Sequence, residues 1–270
     1  MLEQLKETVS WIKDRVQTAP EIAVILGSGL GNLAQYIREE TSFAYETIPH
    51  FPLSTVEGHH GRLIFGKLGG KNVMALQGRF HYYEGYDMKQ VTYPIRVMQL
   101  MGVKYLFVSN AAGGMNRNFQ IGDIMLIEDH INLFPEHPLR GKNDAKLGPR
   151  FPDMSEAYNI ALRRMAIETA LENEINLRTG VYVGLQGPTF ETPAEYYYLR
   201  IIGGDAVGMS TVPEVIVAVH AEIKVLAFSV ITDLGIPDRV VTVSHKEVMA
   251  AAEAAQPKLA FLLREIIKRL

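Results

Sequence analysis

The sequence predicts an α/β fold around one sheet, on two observations. Short apolar, β-branched runs alternate with amphipathic helical patterns along the chain. With 47% hydrophobic and 21% charged residues among 270, the chain can bury a substantial core, and no linker, internal repeat or low-complexity tract divides it. A single domain over residues 1–270 is expected, with a central, largely parallel or mixed β-sheet flanked by helices. Ligands in such folds gather at the carboxyl ends of strands.

The elements follow in order. "MLEQLKETVSWIKDRV" sets Leu2, Leu5, Val9, Ile12 and Val16 on one helical face. Its mixed charges differ from the continuous apolar core of a signal peptide. "IAVIL" is the first strand and runs straight into "GSGLG". "RLIFGKL", "NVMALQ", "YLFVSN", "GDIMLIE", "GVYVGLQ" and "VLAFSVIT" are the further strands. "HINLFPEHPLRGKNDAKLGPRFPD" is irregular and longer than a connection needs to be, which marks a functional or interface loop. Capping boxes at Thr192/Glu195, Thr211/Glu214 (with Pro213 in the first turn) and Ser244/Glu247 predict three helix starts. "EVIVAVHAEIKVLAFSVIT" is broken by His220, Glu222 and Lys224, so it does not read as a membrane span.

Composition narrows the function classes. The formal net charge is -3 and no basic block occurs, which leaves no electrostatic footprint for nucleic acid or an anionic membrane surface. A small ligand is the better expectation. There is no cysteine, so disulfides, thiolate metal sites and a cysteine nucleophile are excluded, and a cytoplasmic address is expected. No HExxH spacing occurs, and the adjacent His59 and His60 would diverge on a strand, so no metal is expected.

The chemistry collects at strand ends. The glycine turn "GSGLG" fails the dinucleotide fingerprint, because position 32 is Asn32, and no Lys-Ser or Lys-Thr pair follows as in a P-loop. Either Ser28 sits in a turn suited to an anion, or the turn is simply tight. After "NVMALQ", an extended chain would bring Arg79, His81 and Tyr83 onto one face. Arg and His suit a phosphate, as fixed fork and donor. The alternative is that Arg79 pairs with a carboxylate and His81 is merely half-buried. Ser210 lies at a helix N-terminus, a second anion-ready turn or a plain cap. Phe190 and Glu191 stand just outside a helix, placed for a base to stack and to be held at its edge, or else as core and solvated residues. His245, in a first helical turn, is expected neutral.

Together "GSGLG", "STVEGHHGRL", "QGRFHYYEGY", "NAAGG", "GPTFETPAE", "DAVGMSTVPEVIVA" and "SHKEV" resemble the trimeric purine nucleoside phosphorylases, in order and across nearly the whole chain. The resemblance implies a nucleoside phosphorylase-like α/β domain assembled as a homotrimer. It implies reversible phosphorolysis of purine ribo- or deoxyribonucleosides to free base and pentose 1-phosphate, with inorganic phosphate as co-substrate and no metal or cofactor. By motif, Ser28, Arg79, His81, the backbone N–H of Ala111 and Ser210 would cradle phosphate, with His59 on a loop above. Tyr83, Met209 and His245 would line the ribose, and Phe190, Glu191 and Val207 would hold the purine. Phe151 would reach into a neighbouring subunit's site. Family members that prefer 6-oxopurines mostly carry Asn in the segment here reading "SVITDLGIPD", where this chain has Asp233. A protonated Asp233 is expected to act as general acid for the departing base, keeping inosine and guanosine as the better substrates and admitting adenosine more readily than an Asn would. The alternatives are an adenosine or methylthioadenosine phosphorylase, or a non-catalytic nucleoside sensor.

Overall fold

The computed structural model describes residues 1–55, 60–235 and 242–270. Its elements are α1 (Leu2–Lys13), β1 (Ile22–Leu26), β2 (Arg38–Ala44), β3 (Arg62–Leu68), β4 (Lys71–Gln77), α2 (Met88–Val91), α3 (Tyr93–Met101), β5 (Tyr105–Gly114), β6 (Ile124–Asn132), α4 (Ile160–Glu172), β7 (Leu177–Gly184), α5 (Pro193–Ile201), β8 (Ala206–Gly208), α6 (Val212–His220), β9 (Lys224–Leu234) and α7 (His245–Lys268). The strands form one mixed sheet in the order β2-β3-β4-β1-β5-β8-β7-β6-β9, and β9 also pairs with β5. That extra pairing closes the last five strands into a ring. Strands β4, β1, β5 and β9 are mutually parallel, so their carboxyl ends share one edge of the sheet.

The apolar runs behave as their patterns require. All five residues of β1 are buried, because helices cover both faces of the parallel strands. Ala23 and Ile25 enter a core with α1, α3 and α6, while Ile22, Val24 and Leu26 enter a second core with α4 and α7. Leu5, Val9 and Ile12 face the first core as expected; Val16 lies beyond the end of α1 but still packs on it.

Four local expectations need correction. The glycine turn leads into a short 3-10 stretch, Gly31–Tyr36, after which the chain turns at Ile37 into the edge strand β2. That strand was missed because its residues are mostly polar and exposed. β8 was missed because three residues carry no readable period. The strand "YLFVSN" continues through "AAGG" to Gly114, since side chains there would collide: a Cβ on Gly113 would lie 2.9 Å from Asp233 Oδ2. Finally, Thr192/Glu195 and Ser244/Glu247 form capping boxes, but Thr211/Glu214 does not. The Thr211 hydroxyl caps nothing and accepts from Asn110 and Arg79 instead, while Glu214 keeps its bond to the Thr211 backbone and also faces Arg79, with Oε1 3.4 Å from Nε.

Gly29 has φ +70°, and a Cβ there would come 2.5 Å from that of Ala252 on α7. Gly29→Ala is therefore expected to cost more than about 1 kcal/mol, through both backbone strain and the clash. An unchanged thermal midpoint would contradict this.

Candidate active site

The parallel strands end on a cavity of about 290 Å³. Ser28 follows β1, Arg79, His81 and Tyr83 follow β4, and Asn110 to Gly113 lie toward the carboxyl end of β5. Phe190 and Glu191 come from the loop before α5, Val207 to Ser210 from β8 and the turn after it, Thr232 and Asp233 from the end of β9, and His245 from the start of α7. Every candidate residue read from the sequence lines this cavity except two. His59 lies outside the described residues. Phe151 is 87% exposed and does not reach the cavity of its own chain.

One wall gathers a guanidinium and hydroxyls. Arg79 is only 1% exposed, and its guanidinium donates from Nη1 to Ser210 Oγ at 2.6 Å and from Nη2 to the Ser109 carbonyl at 3.0 Å. Glu214 backs it. Burial pushes the Glu214 carboxyl up, and Arg79 partly counters this. Arg79 thus pairs with a carboxylate, and it also lines the cavity. Thr211 between them has φ 69° and ψ -55°, with Val212 N–H donating to the Ser210 carbonyl at 2.7 Å. This is a γ-turn geometry that costs backbone energy. Buried Asn110 helps hold it, donating to Thr211 Oγ1 at 2.8 Å.

His81 and Tyr83 stack, with ring centroids 4.7 Å apart, although a 3-10 turn rather than an extended strand brings them together. His81 Nδ1 is 3.0 Å from Glu84 Oε1. Burial lowers the His81 pKa, against the pull of Glu84, and favours the neutral ring. Burial alone would raise Glu84, but hydrogen bonds from His81 and Thr55 override it and hold the carboxyl at about 2. An ionised carboxylate only accepts, so Nδ1 carries the proton and Nε2 of the neutral ring is an acceptor.

The other wall presents Phe190, Val207 and two carboxyls. Asp233 accepts from Thr232 Oγ1 at 3.0 Å and from the Tyr196 hydroxyl at 3.3 Å. Burial raises Asp233, and these two hydrogen bonds oppose it; burial likewise raises Glu191, with Asp233 adding to the rise. Tyr196, Asn110, Thr232 and Glu84 were not found from the sequence, and Glu214 was read only as a cap. Only Glu84 carried a local signal, the i,i+3 spacing from His81. Among the described residues no group of three or more His, Asp or Glu could hold a metal ion, and no helix is long and apolar enough to cross a membrane.

Fold and cavity together define the class: residues 21–268 match the family model described as the Phosphorylase superfamily. The chain is 48% identical to purine nucleoside phosphorylase 1 of Geobacillus stearothermophilus over 98% of its length and 97% of that protein's. It is also 48% identical to the Rattus norvegicus purine nucleoside phosphorylase, over 95% and 91% of the two chains. The chain belongs to the purine nucleoside phosphorylase family. Among solved structures, it superposes on Schistosoma mansoni purine nucleoside phosphorylase in complex with adenosine with a TM-score of 0.95 and 42% identity, covering 100% and 98% of the chains. The complex of that enzyme with inosine gives 0.94 and 41%, covering 100% and 97%.

Proposed function

We propose that the protein catalyses reversible phosphorolysis of purine nucleosides, giving free base and pentose 1-phosphate, with inorganic phosphate as co-substrate and no metal or cofactor. The observation that carries this is the pairing, in one cavity, of a hydroxyl and guanidinium wall with an aromatic and carboxyl wall. Ser28, Arg79, His81, Ser210 and the Ala111 N–H hold phosphate, His59 adding to them. The neutral Nε2 of His81 accepts the proton of a P–OH group. Tyr83, Met209 and His245 flank the sugar, and Phe190, Val207 and Glu191 hold the base.

Phosphate oxygen attacks the anomeric carbon as the bond to N9 breaks through an oxocarbenium-like state. The bond's electron pair leaves with the purine, and protonated Asp233 supplies a proton at N7. Positioning and charge complementarity contribute most of the acceleration. Glu191 accepts from N1–H of a 6-oxopurine, so inosine and guanosine are the better substrates. Asp233 is the more buried carboxyl, 7% exposed, which favours it as the proton's holder. The Schistosoma neighbours hold both adenosine and inosine, which fits a pocket of this kind taking either base. A polar His245 beside the sugar speaks against a thioether substrate. The test is release of free base from inosine with and without phosphate. Release without phosphate, or binding with no release, would reject the reading, and the latter would favour a sensor.

We also propose a cytoplasmic homotrimer in which Phe151 completes a neighbouring site. Its support is a largely exposed aromatic ring on a long loop that is itself anchored, Arg96 donating to the Leu147 carbonyl at 3.0 Å. Phe151→Ala should raise KM for nucleoside several-fold, by about 0.5–1.5 kcal/mol of lost aromatic contact, while KM for phosphate stays constant. A monomer of full activity in sedimentation at assay concentration would sink the idea.

A further inference from the structure

Tyr196 does not line the cavity, yet it is only 3% exposed and its hydroxyl reaches both carboxyls that do. It stands 3.3 Å from Asp233 Oδ2 and also hydrogen-bonds Glu191. The placement is enforced from two sides. A Cβ on Gly235 would lie 2.1 Å from the Tyr196 ring, and one on Gly113 would lie 3.3 Å from its hydroxyl, so both glycines leave the phenol its slot. The ring packs in a small core with Met115, Val183, Leu199 and Val207. Beyond Asp233, Thr232 Oγ1 lies 3.0 Å from Oδ1 and 3.3 Å from the Ala112 carbonyl. An unbroken chain of hydrogen-bonding groups therefore runs from Glu191 through Tyr196, Asp233 and Thr232 to a backbone carbonyl.

We infer that Tyr196 is a positioning residue that lets the two carboxyls share one proton and so sets which purine the pocket accepts. The inference rests on the phosphorolysis reading above. A hydroxyl has one proton to donate, so Tyr196 serves whichever carboxyl is ionised. When it donates to Glu191, Asp233 is neutral and donates to O6 or N7, while ionised Glu191 accepts from N1–H, which matches a 6-oxopurine. When it donates to Asp233, the ionised Asp233 accepts from a 6-amino group and protonated Glu191 donates to N1, which matches adenine. Both arrangements hold one proton, and only its seat differs. The other titratable groups nearby are Glu195, which caps α5 and adds to the rise of Glu191, and His245 across the cavity.

The pH profile of Tyr196→Phe tests this. Tyr196 stabilises the states with one or no proton on the pair but not the doubly protonated state. Loss of its hydrogen bond to a charged group should move the acidic limb of kcat/KM up by about one pH unit, for inosine and adenosine alike, and leave the basic limb in place. Thermal unfolding and KM for phosphate report on folding and on the other wall. A uniform loss of activity with both limbs unmoved would reduce Tyr196 to packing and overturn the inference, while phosphorolysis itself stood. If wild-type enzyme released no base with phosphate present, the functional reading would fail instead. Asp233→Asn provides a second measurement: an unchanged ratio of adenosine to inosine efficiency would also overturn the shared proton.

Discussion

Replacing Arg79 by alanine is expected to lower kcat/KM for phosphate by about ten- to more than a hundred-fold, the equivalent of roughly 1.5–3 kcal/mol for a lost hydrogen bond to a charged group. Arsenate as nucleophile should suffer alike, because the guanidinium recognises the oxyanion and not the phosphorus. Unchanged efficiency with both would remove Arg79 from the anion site. The same change strands Glu214, whose carboxyl is buried against Arg79. Breaking a buried pair from one side costs about 3–5 kcal/mol, so the variant should also lose thermal stability. The loss has a sign in pH. Burial raises the Glu214 pKa, and without Arg79 it rises further. A carboxyl raised in the folded state leaves stability intact below its unfolded pKa and withdraws it as pH rises through the folded value. Arg79→Ala should therefore be closer to wild type in unfolding at pH 5 than at pH 8. Adding Glu214→Gln should restore stability at the higher pH without restoring phosphate binding.

Asp233→Asn is expected to have the second large effect, on the choice of base. An amide can donate to O6 or N7 at any pH, so inosine and guanosine remain substrates, and the basic limb of their profile should vanish because no carboxyl proton is left to lose. General acid catalysis by the carboxyl contributes typically about 10²- to 10⁴-fold, so some loss of kcat for 6-oxopurines accompanies the broader profile. Adenosine loses more, since its 6-amino group would have lost the ionised acceptor. A selective fall of at least about tenfold in adenosine over inosine efficiency follows from one charged hydrogen bond. If wild-type enzyme instead cleaves adenosine more efficiently than inosine throughout the neutral range, the protonated Asp233 is wrong and an adenosine phosphorylase takes its place.

Much of this molecule is legible in short windows of sequence. "IAVIL" is a strand because a continuous apolar run has two covered faces, and Thr192/Glu195 and Ser244/Glu247 start helices because their partners lie three residues apart. Motif by motif, the resemblance named Ser28, Arg79, His81, Phe190, Glu191, Ser210 and Asp233, and all of them line one cavity. Tertiary structure alone decided how those groups are held. Thr211/Glu214 has the spacing of a capping box, yet the helix end lacks its side-chain cap, because the Thr211 hydroxyl is taken by Arg79 and Asn110, which the sequence places 132 and 101 residues earlier. Tyr196 reads as one of three tyrosines in "EYYYL", and its contact with Asp233, 37 residues on, exists because Gly113 and Gly235 leave it room. Local patterns carry propensity and period, which act over a few residues. Burial, counter-charge and the direction of a shared proton depend on groups from distant strands, which become neighbours when β9 closes onto β5.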